Sequence, residues 1–155
     1  MTASVTLRAA SSADASLLLE WANDPPTRAA SLTTAPIGRP EHVAWLARLL
    51  SDPRRRLWIG VAAGQDIGQV RIEVADDGAG VVSIALAPGV RGRGLARPLL
   101  LAGLEAAARE LGADRARAVV RGSNEVARRL FEGSGFAVTG SLTAPDGEEC
   151  VVYER

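Results

Sequence analysis

A chain of 155 residues with 47% hydrophobic content suits one domain, residues 1–155, and 18 acidic residues against 18 basic ones leave no net charge. That balance argues against a nucleic-acid binder, which would carry a strongly basic face, and all the basic residues are arginines, a pattern that points to GC-rich coding. One cysteine, Cys150, excludes an internal disulfide, and with one histidine, His42, it cannot supply a metal site.

Met1-Thr2-Ala3-Ser4 enters a strand at Val5-Thr6-Leu7 without a charged, apolar leader, and no run of 18 apolar residues follows. The sequence therefore predicts a cytoplasmic chain without membrane contact. Ser11 or Ser12 caps a helix through Asn23, with Leu17, Leu18 and Trp21 at helical spacing. Asp24-Pro25-Pro26 stops it, and Thr27 to Gly38 reads as irregular. Pro40 opens a second helix with Val43, Leu46, Leu49 and Leu50 on one face, ended by Ser51-Asp52-Pro53. Strands follow at Leu57–Ala62, Ile67–Val74 and Val81–Ala87, joined by turns at Ala63-Gly64-Gln65-Asp66 and Asp76-Asp77-Gly78.

A helix from about Leu95 to Leu111 ends at Gly112, with Pro98 near its fourth position and a distorted first turn expected. Next come a strand at Ala116–Arg121, a short helix, and a closing hairpin of Phe136–Ser141 and Cys150–Tyr153. Cys150 and Tyr153 read as packing residues, as do Trp21, Trp45 and Trp58. His42, at a helix start, reads as a surface residue able to meet a substrate phosphate.

The stretch from Val81 to Ala96 runs from a buried strand through Pro88-Gly89-Val90-Arg91-Gly92-Arg93-Gly94 into a long helix. The first N–H groups of a helix lack internal partners, and the macrodipole puts positive charge there. Gly92 and Gly94 let a ligand approach the main chain, and Arg91 and Arg93 add charge, so the tract is an anion grip suited to a pyrophosphate. Arg97 stands where a dinucleotide fingerprint wants its third glycine, and a P-loop needs a lysine that the chain lacks. What fits is Arg91-x-x-Gly94-x-Ala96.

That tract resembles the coenzyme A pyrophosphate loop of the GNAT N-acetyltransferase superfamily. The segment Ser123 to Phe136, with Asn124 opening a short helix, Ala127 three residues on, Phe131 near its end and a closing Gly135-Phe136, is similar to the superfamily's second signature. The resemblance implies an α/β GNAT fold, a mixed seven-stranded sheet in the order β-α-α-β-β-β-α-β-α-β-β with about four helices. The sheet should splay between the fourth and fifth strands, those carrying Leu86 and Val119. It further implies direct transfer of an acetyl group from acetyl-CoA, without a metal, to a primary amine.

By position, the backbone of Ala85 and Leu86 would pair with the pantetheine amides. The main chain of Arg91, Gly92, Arg93, Gly94, Leu95 and Ala96 would hold the pyrophosphate, Asn124 the pantetheine arm, and Phe131 would pack beside the thioester. The Leu86 N–H would stabilise the tetrahedral oxyanion, an effect worth up to about 3 kcal/mol.

Two departures stand out. Where some relatives place a carboxylate on the strand before the loop, this chain has Gly80, Val81 and Val82, which leaves Ser83, through a water, or Glu73 on the neighbouring strand to take the amine proton. Many relatives carry tyrosine where Phe131 stands, so no phenol is available there for the departing thiolate.

The N-terminal half, with Glu20 to Pro25, Arg28, Glu41-His42 and Trp45, looks like enzymes acetylating a sugar-nucleotide amine. Both ends instead look like aminoglycoside 6′-N-acetyltransferases, so the expected partner is a small-molecule amino sugar. Arg28, Arg39 and His42 would meet a phosphate, while Glu73, Asp76 and Asp77 make the other side acidic. A protein N-terminal acetyltransferase and a non-catalytic CoA-binding regulatory domain remain alternatives, and a homodimer is the assembly to test.

Overall fold

The computed structural model describes residues 4–155; residues 1–3 of the expected N-terminal approach lie outside them. The elements are β1 (Thr6–Ala9), α1 (Ala15–Ala22), α2 (Pro25–Ala30), α3 (Arg39–Ser51), β2 (Arg55–Ala62), β3 (Gln65–Val74), β4 (Gly80–Leu86), α4 (Ala96–Leu111), β5 (Ala116–Arg121), α5 (Glu125–Gly133), β6 (Ala137–Thr143) and β7 (Glu149–Glu154). They form one seven-stranded sheet ordered β1-β2-β3-β4-β5-β7-β6, antiparallel except for the parallel β4/β5 pair. This is the mixed α/β sheet that the sequence leads one to expect, with five helices in place of about four.

The extra helix corrects the reading of Asp24-Pro25-Pro26 as a simple stop. Asp24 is extended (φ −58°, ψ 131°), and the two prolines occupy the first two helical positions of α2. Their missing N–H groups cost nothing there, because those N–H groups would lack intrahelical partners anyway. Pro98 is tolerated for the same reason. Leu95 is the N-cap of α4, so Pro98 falls third rather than fourth, within the first turn.

Strand alternation divides the sheet into two faces. Trp58, Val70, Ile72 and Val82 pack under α4 against Leu99, Leu100, Ala106 and Ala107. On the opposite face, Leu57, Ile59 and Ile67 pack against Leu18 and Trp21 of α1 and Leu46 and Leu49 of α3. Trp21, Trp58, Cys150 and Tyr153 are buried as packing residues, whereas Trp45 on α3 stays partly open. No helix among the described residues is long and apolar enough to cross a membrane.

Candidate active site

The β4 and β5 strands pair only at Gly80–Ala116 and Val81–Arg117. Beyond that point β4 follows β3 as far as Leu86, while β5 follows β7 as far as Arg121. Residues 82–86 therefore present a free strand edge to a gap in the middle of the sheet. Gly68 on β3 makes the close β3/β4 approach there feasible, because a Cβ on it would lie 2.4 Å from the Ala85 oxygen. The Ala87 N–H donates to the Ile67 oxygen at 2.8 Å. Successive strand N–H groups point to opposite edges, so the Leu86 N–H points away from β3 and into the gap.

At the mouth of the gap lies the loop from Arg91 to Leu95. Gly92 (φ +78°) and Gly94 (φ +73°) adopt left-handed backbone, and the space where their side chains would stand is open. The first α4 bond runs from the Leu99 N–H to the Leu95 oxygen, and Leu95 supplies no side-chain cap. Among the described residues, no acceptor meets the N–H groups of Gly92 to Arg97. Open glycines below a run of unpartnered N–H groups at a helix N-terminus form an anion cradle. The Arg91 side chain is not part of it. It pairs with Asp24 at 2.9 Å and donates to Thr27 Oγ1 and the Leu86 oxygen, clamping the loop to α2 and β4.

The second wall of the gap is built by side chains. Arg28 was expected to meet a substrate phosphate, but it spends its donors within the α2–α3 connection: on the oxygens of Ala22 (2.6 Å), Thr33 and Ala35, and on Ser31 Oγ. Asn23 pins the same segment through two bonds to the Ile37 backbone. Arg121, at the end of β5, has 3% of its surface exposed. It donates to the Ser31 and Leu32 oxygens and pairs with Asp146 (2.9 Å) and Glu148 (2.8 Å). This arginine, which the sequence reading did not single out, ties the α2–α3 loop to the β6–β7 turn across the end of the gap. The Ser123 hydroxyl and the Arg121 guanidinium lower the Glu148 carboxyl to about 2.

Several other expectations are corrected. The acidic side is neutralised: Glu73 lies 3.8 Å from Arg55, Asp76 pairs with Arg54, and Asp77 pairs with Arg117, which lowers its carboxyl to about 2. Glu73 sits five residues along β3 from Gly68, the register partner of Leu86, roughly 16 Å away at strand rise. His42 is 3% exposed rather than a surface residue; its ring packs against Trp45 at a tilt of 32° with centroids 5.5 Å apart, and burial lowers its pKa.

Ser83 faces the α3 side of β4, opposite Arg71 on β3. The Asn124 Oδ1 caps α5 by accepting from the Ala127 N–H at 3.1 Å. Phe131 is buried against Phe136 and Tyr153, and the Tyr153 hydroxyl is held by Glu132 and Arg128.

This arrangement matches known proteins. The family model described as "Acetyltransferase (GNAT) domain" matches residues 4–137. Among curated proteins none matches the sequence. Of the solved structures, aminoglycoside acetyltransferase AAC(6')-Ib with ribostamycin and coenzyme A is 24% identical, with a TM-score of 0.84 over 98% of this chain and 93% of that one. Spermidine N-acetyltransferase from Vibrio cholerae with CoA and spermine is 22% identical, with a TM-score of 0.88 over 97% and 94%. RimL, the ribosomal L7/L12 alpha-N-protein acetyltransferase, with CoA, is 14% identical, with a TM-score of 0.84 over 98% and 93%. At these identities the likeness is one of fold.

Proposed function

Because the chain belongs to the GNAT acetyltransferase domain family and is an N-acetyltransferase, we propose that it acetylates the primary amine of a small molecule, an amino sugar, by direct attack in a ternary complex. The domain as a whole, 1–155, is the catalytic unit. The observation that carries this reading is the run of unpartnered N–H groups from Gly92 to Arg97 beside a free β4 edge. Acetyl-CoA fits that combination. Its pyrophosphate would lie over Gly92 and Gly94, and its pantetheine amides would continue the sheet at Leu86, whereas the Ala85 backbone expected beside it is turned to β3. The uncommitted amide nitrogen of Asn124 would meet the same arm, and Phe131 would support that wall from the core.

In the transfer, the neutral amine nitrogen attacks the thioester carbonyl carbon. The carbonyl oxygen gains negative charge, which the Leu86 N–H stabilises. The C–S bond then breaks, the thiolate leaves, and the nitrogen, positively charged since the attack, gives its extra proton to water. An amine with a pKa near that of lysine is almost wholly protonated at pH 7, so a proton must first be removed. Ser83, three residues from Leu86 on the cleft-facing side, would order the water that accepts it. Phe131 has no proton to give, and the Tyr153 hydroxyl is occupied by Glu132 and Arg128. A thiol pKa near 8.5 makes the free thiolate an adequate leaving group.

The three relatives carry acceptors as different as an aminoglycoside, a polyamine and a protein N-terminus on one fold. Acceptor choice therefore rests on side chains around the gap, which here include an unpaired arginine. If a second copy joins the chain, the exposed outer strand β6 is the edge we assign to it. The deciding experiment measures free-thiol release from acetyl-CoA with amino sugars, polyamines and peptides. Release with an amino sugar and not with the others is expected, and release with none of them would contradict the proposal.

A further inference from the structure

If the acceptor approaches over the α3 side of β3 and β4, as the preceding reading requires, it meets a guanidinium that no described residue pairs in a salt bridge. Arg71, in the middle of β3, faces Leu57 across β2 and Ser83 across β4. Its guanidinium lies over the Trp45 ring, 5.2 Å from the centroid. It makes neither a hydrogen bond nor an ion pair with a described residue, and desolvation, followed by the nearby Arg55, lowers its pKa. Glu73, the next residue of β3 on this face, sits by Arg55. Among Arg55, Glu73 and Arg71, two guanidinium groups and one carboxylate leave a single positive charge.

The surroundings are equally unsatisfied. Gln69 Oε1, Arg55 Nε and His42 Nε2 are buried without a hydrogen-bond partner, Arg55 Nε having only the 3.8 Å approach of Glu73. Gln69 and Arg71 lie two residues apart on the same face of β3, and His42 packs at a tilt against the Trp45 that carries Arg71. Buried charges are normally paired, because water surrendered on burial must be replaced. A cation held over an indole, with acceptors and donors idle around it, is instead available to an incoming planar or tetrahedral oxyanion.

We propose that Arg71, backed by Trp45, is an acceptor subsite for an oxyanion, a carboxylate or phosphate borne by the same molecule as the reacting amine. The substrate is then an anionic amino compound. A polyamine would bring like charge to Arg71. Ser83, the register partner of Arg71, lies three residues from Leu86, so the amine and the anion are separated by no more than about 10 Å along the strand. Gln69 Oε1, two residues from Arg71 on the same face, is an idle acceptor for a substrate hydroxyl.

The test uses Trp45 as the reporter. Tryptophan fluorescence of the CoA-saturated protein is titrated with glucosamine, its 6-phosphate and its 6-carboxylate (2-amino-2-deoxyglucuronic acid), with Trp45→Phe identifying the responding ring. At least one anionic sugar should bind about tenfold or more tighter than glucosamine. Arg71→Met should narrow that preference to within about threefold, and Arg71→Lys should retain part of it, since charge survives without the planar fork. CoA affinity of each variant checks its fold. The two anionic sugars distinguish a phosphate from a carboxylate site.

Equal binding of glucosamine, an undiminished preference in Arg71→Met, or no saturable binding by either anion overturns the subsite. Thiol release is read in parallel with the same proteins and sugars, with acetyl-CoA in place of CoA. Arg71-dependent binding without transfer rejects the acetyltransferase reading and keeps the subsite, while transfer without anion preference does the reverse.

Discussion

The two walls of the gap are made of different materials. The wall at the start of α4 is backbone: two open glycines with positive φ and a run of N–H groups that no described residue satisfies. The facing wall is side chain: Arg121 spans two loops, Arg28 holds one of them, and Arg71 lies over Trp45. A backbone cradle recognises what is common to every reaction of such an enzyme, the cosubstrate's phosphates. A side-chain wall can be rebuilt by substitution without disturbing the strands beneath it. The division predicts that changes on one wall act on one ligand.

The largest expected effect is on the backbone wall. Gly94→Val puts a β-branched side chain at a φ of +73° that such residues avoid, and fills the open space above the loop. CoA affinity measured by calorimetry should fall by about tenfold or more. Unchanged affinity in a folded variant would break the comparison at its first wall.

On the other wall, Arg121→Met removes the tie between the α2–α3 loop and the β6–β7 turn. KM for the acceptor should rise by about tenfold while CoA affinity changes far less, the pattern of a lost positioning contact rather than lost chemistry. An equal loss of both would mean that the two walls are mechanically one.

Ser83→Ala should lower kcat severalfold near neutral pH with little change in either ligand's affinity, because only a proton relay is lost. The deficit should shrink as pH rises and more amine is already neutral. A deficit independent of pH would assign Ser83 to packing.

The smallest effect concerns pH. Glu148 is harder to protonate in the folded chain than an ordinary glutamate, about 2 against 4.5, so its contribution to stability is full above 4.5 and fades as pH falls toward 2. Acceptor KM controlled by the Arg121 tie should show no inflection from Glu148 between pH 5 and 8. In thermal melts, Glu148→Gln should lose its difference from the parent between pH 4.5 and 2.

The same contrast explains what could be read from the sequence. The cradle was legible because its residues are contiguous: a strand, Gly92, Gly94 and a helix start carry their meaning without partners. The position of the splay followed from the resemblance to the GNAT superfamily that this tract and the segment opened by Asn124 carry.

Arg121 was not legible, since it bonds Ser31, 90 residues away, and one arginine among 18 carries no mark of burial. Arg28 and Glu73 misled for the converse reason. Each has the charge a substrate site needs, but loop carbonyls claim the one and Arg55 sits beside the other. The proline pair at Pro25-Pro26 read as a stop because proline ends helices. It also starts them, and only the extended Asp24 reveals that it does both.

The central claim is that CoA is held by main-chain amides at the start of α4. Amide chemical shifts of the ¹⁵N-labelled protein, followed through a CoA titration, test it most directly. The account predicts that the largest changes fall on Gly92 to Arg97 and on Leu86, with the amides of Arg71 and Arg121 moving little until an acceptor is added. Saturation with CoA that leaves the amides of Gly92 to Arg97 unmoved would contradict it.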